Sequence, residues 1–267
     1  MAYLWILLIV SLCACSIGWK YFIYFFSIGY GFSVAALAVA SAVLFASSLS
    51  APTVALLLVI LFFGCRLSGY LLVRQLRSSS YKKILYAPAL QEKKPFGVMA
   101  AVWFFCALLY VGQVSPVAFR LANTAEGIPV SDLWAWIGVA VMAGGVCLET
   151  VADMQKSASK KVRPGRFVDT GLYRIVRCPN YLGELVIWTG ALLSGIGAGM
   201  SVWQWVIAVA GYLGIVYVMF SGTRRLELRQ NESYGSDPEY QEYVKKTPVL
   251  LPFIPLYSVA RYKWLSA

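Results

Sequence analysis

The chain has 267 residues, of which 60% are hydrophobic and only 13% are charged, and its mean hydropathy is +0.68. Because a typical soluble domain carries about 25% charged residues, this composition argues against a water-soluble enzyme and indicates a membrane protein. The formal charge is +11, and the lack of histidine removes the usual general base and the usual zinc or haem ligand. The six cysteines are scattered and form no CxxC motif, so neither a metal site nor a disulfide framework is expected.

Seven stretches are apolar over about 20 residues, the length that crosses the hydrocarbon core of a bilayer as a helix. They are residues 1–19, 21–46, 51–74, 96–118, 130–152, 181–200 and 203–221. The sequence therefore predicts an all-α, polytopic membrane helix bundle that forms a single membrane domain. The first stretch lacks the basic start and the cleavage site of a signal peptide, so it is counted as a helix. A very short gap near Met200 predicts a tight hairpin between the last two stretches.

The basic residues cluster in three loops. Twenty of the 23 lysines and arginines follow the third, fifth and seventh stretches. The positive-inside rule then places the N-terminus outside and the C-terminus in the cytosol of an integral multi-pass protein. The endoplasmic reticulum and a bacterial inner membrane both fit this pattern. Topology and attraction to anionic membrane lipids account for most of the charge, and no nucleic-acid partner is expected.

Ionisable residues also lie at or near membrane depth, where they are costly and usually face a cavity or a partner. Arg66, Tyr70, Arg74 and Arg77 are spaced by four, four and three residues, which places them on one face of a helix. Arg74 and Arg77 could extend to the membrane surface, but Arg66 lies about two turns deeper and needs an anionic partner.

Two further pairs of polar residues are each one helical turn apart. Glu149 and Asp153 end the fifth stretch, whereas Asn180 and Glu184 begin the sixth. The two carboxylates of the first pair could bind the arginines of the third stretch, or they could bind ribose hydroxyls or an amide. Both interpretations are open. Gly183 permits close approach by another helix or a ligand.

The sixth stretch carries the signals of a helix start. Pro179 suits the first turn of a helix, where its missing N–H does no harm. Arg174 and Arg177 come just before this N-terminus, which attracts anions because the free N–H groups and the helix dipole point outward there.

This segment, G-L-Y-R-I-V-R-C-P-N-Y-L-G-E at residues 171–184, resembles a signature of the steroid 5α-reductase-like membrane reductases, and more closely their DUF1295-like branch with a steroid-reductase C-terminal domain. Three further motifs agree in order: R-L-x-x-Y-x-x-x-R from residue 66, E-x-x-x-D-x-Q-K from residue 149 and S-G-T-R-R-L-E from residue 221. A tail motif, D-P-E-Y-Q-E-Y-V-K-K-T, begins at residue 237. The resemblance covers roughly residues 60–257.

The resemblance implies a seven-helix reductase in which NADPH enters from the cytosolic side and reduces an activated C=C bond of a lipid-like substrate. The cofactor contacts of that family would fall on Tyr70, Arg77, Glu149, Asp153, Arg166 and Asn180. Residues that match the motifs with less defined roles are Arg66, Arg174, Tyr181 and Glu184. The chain has no glycine-rich Rossmann fingerprint, so a dinucleotide site would be built between helices.

The chain also departs from the family pattern. In the steroid reductases proper, a glutamate on the second span and a tyrosine before the arginines polarise the substrate carbonyl. Here no acidic residue precedes Glu92, Phe63 stands at the tyrosine position, and Cys178 replaces a histidine of the relatives. Either another donor acts or the substrate is not a 3-keto steroid. The candidate catalytic donors are Tyr30, Tyr70 and Tyr110.

Two alternatives to the reductase are open. One is a membrane methyltransferase of the isoprenylcysteine or phospholipid type that binds S-adenosylmethionine. Such enzymes resemble this chain in an R-x-x-R-H-P-x-Y-x-G segment, but here the histidine is missing and Glu227 is followed by leucine instead of a second acid. The other is a relative that keeps the scaffold and the cofactor but has lost activity.

Overall fold

The computed structural model describes residues 2–77 and 94–265, and within these ranges the chain forms eight α-helices and no strands. The helices are α1 Ala2–Cys15, α2 Ile28–Leu44, α3 Ala51–Arg77, α4 Phe96–Ala125, α5 Asp132–Val162, α6 Pro179–Ser194, α7 Val202–Tyr234 and α8 Pro238–Lys246. The predicted all-helical fold is thus confirmed for the described ranges. The basic residues Lys82, Lys83 and Lys93, predicted to face the cytosol, lie outside them.

Five helices of the described ranges are long and apolar enough to cross a membrane: α1 with the short turn that extends it to Trp19, α3, α4, α5 and α7. The two other predicted stretches correspond to shorter helices, α2 with 17 residues and α6 with 16. The chain is therefore a multi-pass membrane protein by helix length and composition.

Several helices continue beyond their apolar stretches. The apolar part of α5 was predicted to end near residue 152, but the helix ends at Val162. Its last turn carries Lys160 and Lys161, whose charges interact favourably with the helix dipole. Similarly, α7 continues to Tyr234 through a polar sequence. Hydropathy indicates where the apolar part of a helix ends, whereas polar residues that favour the helix extend it beyond that point.

The chain divides into two compact units. The first contains residues 1–139 and 191–212, and the second contains residues 140–190 and 213–267.

In the first unit, α2 and α3 pack closely through small residues. A Cβ atom placed at Gly64 would lie 2.5 Å from the carbonyl oxygen of Gly31 and 2.9 Å from the nitrogen of Ala35. The Ser68 hydroxyl donates a hydrogen bond to the carbonyl of Ile28 at 3.0 Å. Small residues and interhelical hydrogen bonds are the usual basis of helix packing in membranes.

A polar cluster in the same unit fixes the turn before α7. The side-chain nitrogen of Asn123 donates to the carbonyls of Ala198 and Gly199 at 2.9 and 3.0 Å. Asn123 and Gln204 also exchange hydrogen bonds through their amides, at 3.2 and 2.9 Å. The hairpin predicted near residue 200 is accordingly a turn over residues 195–201, in which Gly199 has a φ of 62°.

In the second unit, the segment after α8 returns to the start of α6. The backbone nitrogens of Arg177 and Cys178 donate to the carbonyls of Pro248 and Val249 at 2.9 and 3.0 Å. Val249 in turn donates to the carbonyl of Leu256 at 2.8 Å. The residues that precede α6 are therefore held by the C-terminal segment.

Candidate functional site

The predicted site residues occur in both units, and each set is described within its own unit. In the first unit are Arg66, Tyr70 and Arg77. In the second unit are Glu149, Asp153, Arg166, Arg174, Asn180, Tyr181 and Glu184.

The predicted stripe on the third stretch lies on one continuous helix, α3, which ends at Arg77. Arg66 and Tyr70 are half-buried, whereas Arg74 is exposed. The guanidinium of Arg74 lies over the ring of Tyr70, 5.7 Å from its centroid. This cation–π contact confirms that residues four apart share a face here.

In the second unit, α5 and α6 cross at two glycines. A Cβ atom placed at Gly145 would lie 2.7 Å from both the carbonyl oxygen of Gly183 and the nitrogen of Ile187. A Cβ atom placed at Gly183 would lie 2.7 Å from the nitrogen and 2.8 Å from the Cβ of Glu149. The close approach predicted for Gly183 is thus confirmed, because any side chain at either glycine would force the helices apart.

Two of the predicted acids are buried near this crossing. Glu149 lies against Gly183, and Glu184 is the next residue of α6; their exposed fractions are only 4% and 6%. Asp153, one turn further along α5, is half-buried. Carboxylates accept hydrogen bonds from hydroxyl, amide and cationic groups, so the acids of this region have the chemistry to contact such groups.

Tyr181 faces α7 from the first turn of α6. Its ring lies 3.4 Å from a Cβ atom placed at Gly222, so the glycine makes room for the ring. Asn180, next to it, is half-buried. Ser221 is completely buried, and its hydroxyl has no hydrogen-bond partner among the residues that the structure describes. Ser221 opens the S-G-T-R-R-L-E motif, but no role was predicted for it.

The positive charge of Arg166 is paired with acids of the second unit. Its guanidinium pairs with Asp169 at 2.9 Å and with Glu239 of α8, and it lies 4.6 Å from the ring centroid of Phe167. The hydrogen bonds from Arg166 to Glu239 and Asp169 raise the pKa of the guanidinium. Arg174, by contrast, is exposed on the short 3-10 turn that precedes α6.

The position of Arg177 just before α6 suggested that it could bind an anion at the helix start. In the structure it is not available for this role. Its guanidinium donates to Glu227 at 3.0 Å and to the carbonyl of Tyr257, and both side chains of the ion pair are almost fully buried. The second oxygen of Glu227 accepts from the backbone nitrogen of Val259 at 2.8 Å. The pair therefore belongs to the framework of the second unit.

Cys178, which stands where relatives carry histidine, is 3% exposed. Burial raises the pKa of its thiol to about 11. The thiol is therefore neutral near pH 7.

Beside these residues, the second unit has a cleft of about 400 Å³. It is lined by Gln155, Ala158, Ser159, Val162, Arg163, Thr170 and Gly171. The backbone of Leu172 donates to the side-chain oxygen of Gln155 at 2.8 Å, which leaves the amide nitrogen of Gln155 as a donor. Sequence reasoning missed this cleft, although the four-residue spacing of Gln155 and Ser159 on α5, with Arg163 directly after the helix, was a visible signal.

The candidate tyrosines Tyr30 and Tyr110 lie together in the first unit. Their rings stack with centroids 4.8 Å apart, and Tyr30 contacts the edge of Phe63 at 6.1 Å. The hydroxyl of Tyr110 donates to the carbonyl of Phe25. Phe63, which the resemblance aligns with a tyrosine of the steroid reductases, is thus in contact with a tyrosine from α2.

Comparison with known proteins identifies the family. A family described as "Protein of unknown function (DUF1295)" matches residues 24–247. This chain belongs to the DUF1295 family. An uncharacterized protein of Schizosaccharomyces pombe is 32% identical over 139 residues, which cover 45% of this chain and 39% of that relative. The chain thus matches about two fifths of the relative's length. No solved structure matches the chain.

Membership in the DUF1295 family confirms the resemblance to the DUF1295-like branch. The matched range contains all the candidate cofactor residues of both units, the cleft and the three candidate tyrosines. It ends before the segment that covers the start of α6.

Proposed function

We propose that this protein is an NADPH-dependent membrane oxidoreductase that reduces a conjugated C=C bond of a lipid-like or sterol-like substrate. The proposal is supported by four ordered motifs that resemble those of the steroid 5α-reductase-like enzymes and lie within the matched family range. The observation that carries it is the crossing of α5 and α6, because it buries Glu149 and Glu184 beside the motif that the resemblance assigns to the cofactor.

The side chains of the second unit fit a phosphorylated nucleotide. In the cleft, Arg163 offers a cation and Ser159 and Thr170 offer hydroxyls, which suit phosphate oxygens. Glu149 and Asp153 offer carboxylates, which suit ribose hydroxyls or a carboxamide. When bound, NADPH supplies the hydride for the electron-poor carbon of the double bond, while a proton adds to the neighbouring carbon.

Several parts of this assignment rest on the resemblance. Arg66, Tyr70 and Arg77 are proposed as further cofactor contacts, and Asn180 and Tyr181 as contacts at the start of α6. Tyr30 and Tyr110 are proposed as proton donors because their rings stack on each other and Tyr30 contacts Phe63 in the first unit. A tyrosine hydroxyl can transfer the proton, and water can then restore it.

The proposal includes the orientation of the chain. With α2 and α6 counted as spans, seven helices place the basic loops and the end of α7 in the cytosol, where NADPH is available. A fluorescent protein joined after Ala267 should then fluoresce in bacteria, because such a fusion folds poorly outside the inner membrane. A dark, correctly inserted fusion would contradict the orientation.

Binding and turnover of NADPH test the proposed reaction. The purified protein in lipid nanodiscs should bind NADPH with micromolar affinity in isothermal titration and oxidise it when a suitable enone lipid is added. Preferential stabilisation by S-adenosylmethionine would instead support the methyltransferase. Binding of NADPH without oxidation across a broad lipid and sterol panel would support the inactive relative.

A matched pair of variants makes the binding test specific. Asp153→Ala should weaken NADPH binding roughly tenfold, the effect of one lost hydrogen bond in a buried site. Lys246→Ala removes an exposed charge of α8 that pairs with Glu242, and it should leave the affinity unchanged. Equal affinities for the two variants would argue against the assigned site.

A further inference from the structure

The middle of α4 carries a buried amide that the proposed function does not use. Gln113 lies within the 30-residue helix Phe96–Ala125, and its exposed fraction is 3%. Neither its side-chain nitrogen nor its side-chain oxygen has a hydrogen-bond partner among the residues that the structure describes.

Other polar side chains on the same helix do have partners. The hydroxyl of Ser115 donates to the carbonyl of Gly112 at 2.8 Å, and Arg120 donates to the carbonyl of Ser131 at 2.8 Å. Asn123 contacts two carbonyls and Gln204. An amide carries two donors and an acceptor, and burying them without partners in a membrane protein is costly. Gln113 is therefore an exception that calls for a bound group.

The surroundings of Gln113 indicate what kind of group this is. Tyr110 precedes it by one turn, so both side chains lie on the same face of α4. Tyr110 stacks on Tyr30, which in turn contacts Phe63. A single amide beside aromatic rings is the pattern of a site for an apolar molecule that carries one neutral polar group. An amide can donate to a carbonyl or hydroxyl oxygen and can accept from a hydroxyl.

We infer that Gln113 is the recognition residue of a binding site for a neutral, oxygenated lipid, a ketone or an alcohol, whose hydrocarbon body packs on the tyrosines of the first unit. The identification of this lipid as the substrate rests on the proposed function. The binding of the lipid does not depend on that proposal. The amide holds the oxygen, and the rings of Tyr30 and Tyr110 exclude water from it.

Binding should be measured without NADPH, so that failure of the reductase proposal remains distinguishable. Two sets of probes differ only in oxygen: cholestanone, cholestanol and cholestane, and the linear octadecanone, octadecanol and octadecane. In detergent micelles, a ketone or alcohol of at least one set should raise the melting temperature, whereas its hydrocarbon should not. Absence of any oxygen-dependent shift in both sets would overturn the inference.

Gln113→Met, which keeps the volume and removes the amide, should weaken binding of the oxygenated probe roughly tenfold. Ser115→Ala is the control, since that hydroxyl bonds within its own helix, and it should leave the shift intact. Without probes, Gln113→Met should melt no lower than the wild type, because no protein partner is lost. A lower melting temperature, failure to fold or an undiminished response to the probe would each refute the role of Gln113.

Discussion

The guanidinium of Arg177 lies 3.0 Å from the carboxylate of Glu227, a residue 50 positions later, and neither side chain is more than 3% exposed. Each partner also binds the backbone of the C-terminal segment, at Tyr257 and Val259. One buried ion pair therefore joins the start of α6, the polar part of α7 and the residues after α8.

Removing one partner of this pair should destabilise the second unit strongly. Arg177→Met leaves the carboxylate of Glu227 buried without its cation, a change that typically costs about 3–5 kcal/mol. Thermal unfolding in detergent should show the loss, and limited proteolysis should cut within residues 248–265. Arg166→Met, which breaks two partly exposed ion pairs, is the control and should cost about 1 kcal/mol or less. Equal losses of stability in the two variants would show that the buried pair stabilises the protein no more than the exposed contacts of Arg166.

Two adjacent glycines of α5 should respond differently to the same substitution. Gly145→Ala places a methyl group 2.7 Å from the backbone of α6, and overpacking of this kind costs about 1–3 kcal/mol. Gly144→Ala meets nothing within 4 Å and should be neutral or slightly stabilising, because alanine favours the helix. Melting temperatures and NADPH titrations of both variants measure the effect. If Gly145→Ala matches Gly144→Ala, then the described crossing is wrong.

The amide of Asn123 should be a stability determinant of the first unit. Asn123→Ala removes hydrogen bonds to Ala198, Gly199 and Gln204 and leaves the buried carbonyl of Ala198 without this donor, at a cost of about 1–3 kcal/mol. Thr124→Ala, whose hydroxyl only bonds back to Arg120 on its own helix, should cost much less. Denaturation in SDS and detergent mixtures compares the two. A neutral Asn123→Ala would mean that the turn at 195–201 is held by other contacts.

The thiol of Cys178 should resist alkylation in the native state. Since burial raises the pKa of this thiol from 9.0 to about 11, only about one thiol in a thousand is ionised at pH 8. The native state thus binds the thiol proton more tightly than the unfolded state does. The stabilisation that this preference gives is complete below pH 9 and is lost as the pH rises through about 11.

Peptide mapping after N-ethylmaleimide treatment at pH 8 should find Cys178 unmodified in the folded protein and modified after unfolding in SDS. Cys178→Ser confirms the assignment of the labelled peptide. Fast labelling of the folded protein would contradict the buried position.

Much of the local structure could be predicted because it depends on neighbouring residues. Pro179 marked the first residue of α6, and the spacing of Arg74 and Tyr70 indicated a shared helix face. Gly183 signalled a close contact, although nothing in the sequence indicated that Gly145 would be its partner. The apolar stretches located all the long helices but not their polar ends, since hydropathy reports solvent preference and not hydrogen bonding.

The parts of the candidate site that could not be predicted depend on residues far apart in sequence. Arg177 had been interpreted as a charge open to anions, because its partner Glu227 carried no local signal. Likewise, Phe63 was recognised as a departure from the family pattern, but its contact with Tyr30 follows only from the packing of α2 on α3. Gln113 drew no attention, since one amide in an apolar stretch gives no indication of whether it finds a partner.

The contacts between the start of α6 and the C-terminal segment affect the order in which the second unit folds as the chain is synthesised. Arg177 leaves the ribosome 80 residues before Tyr257, whose carbonyl it will bind. During that interval the Arg177–Glu227 pair lacks its backbone partners at Tyr257 and Val259. The second unit therefore completes these contacts only after residue 259 has been synthesised, and a chain truncated before residue 248 would lack the backbone partners of both Arg177 and Glu227.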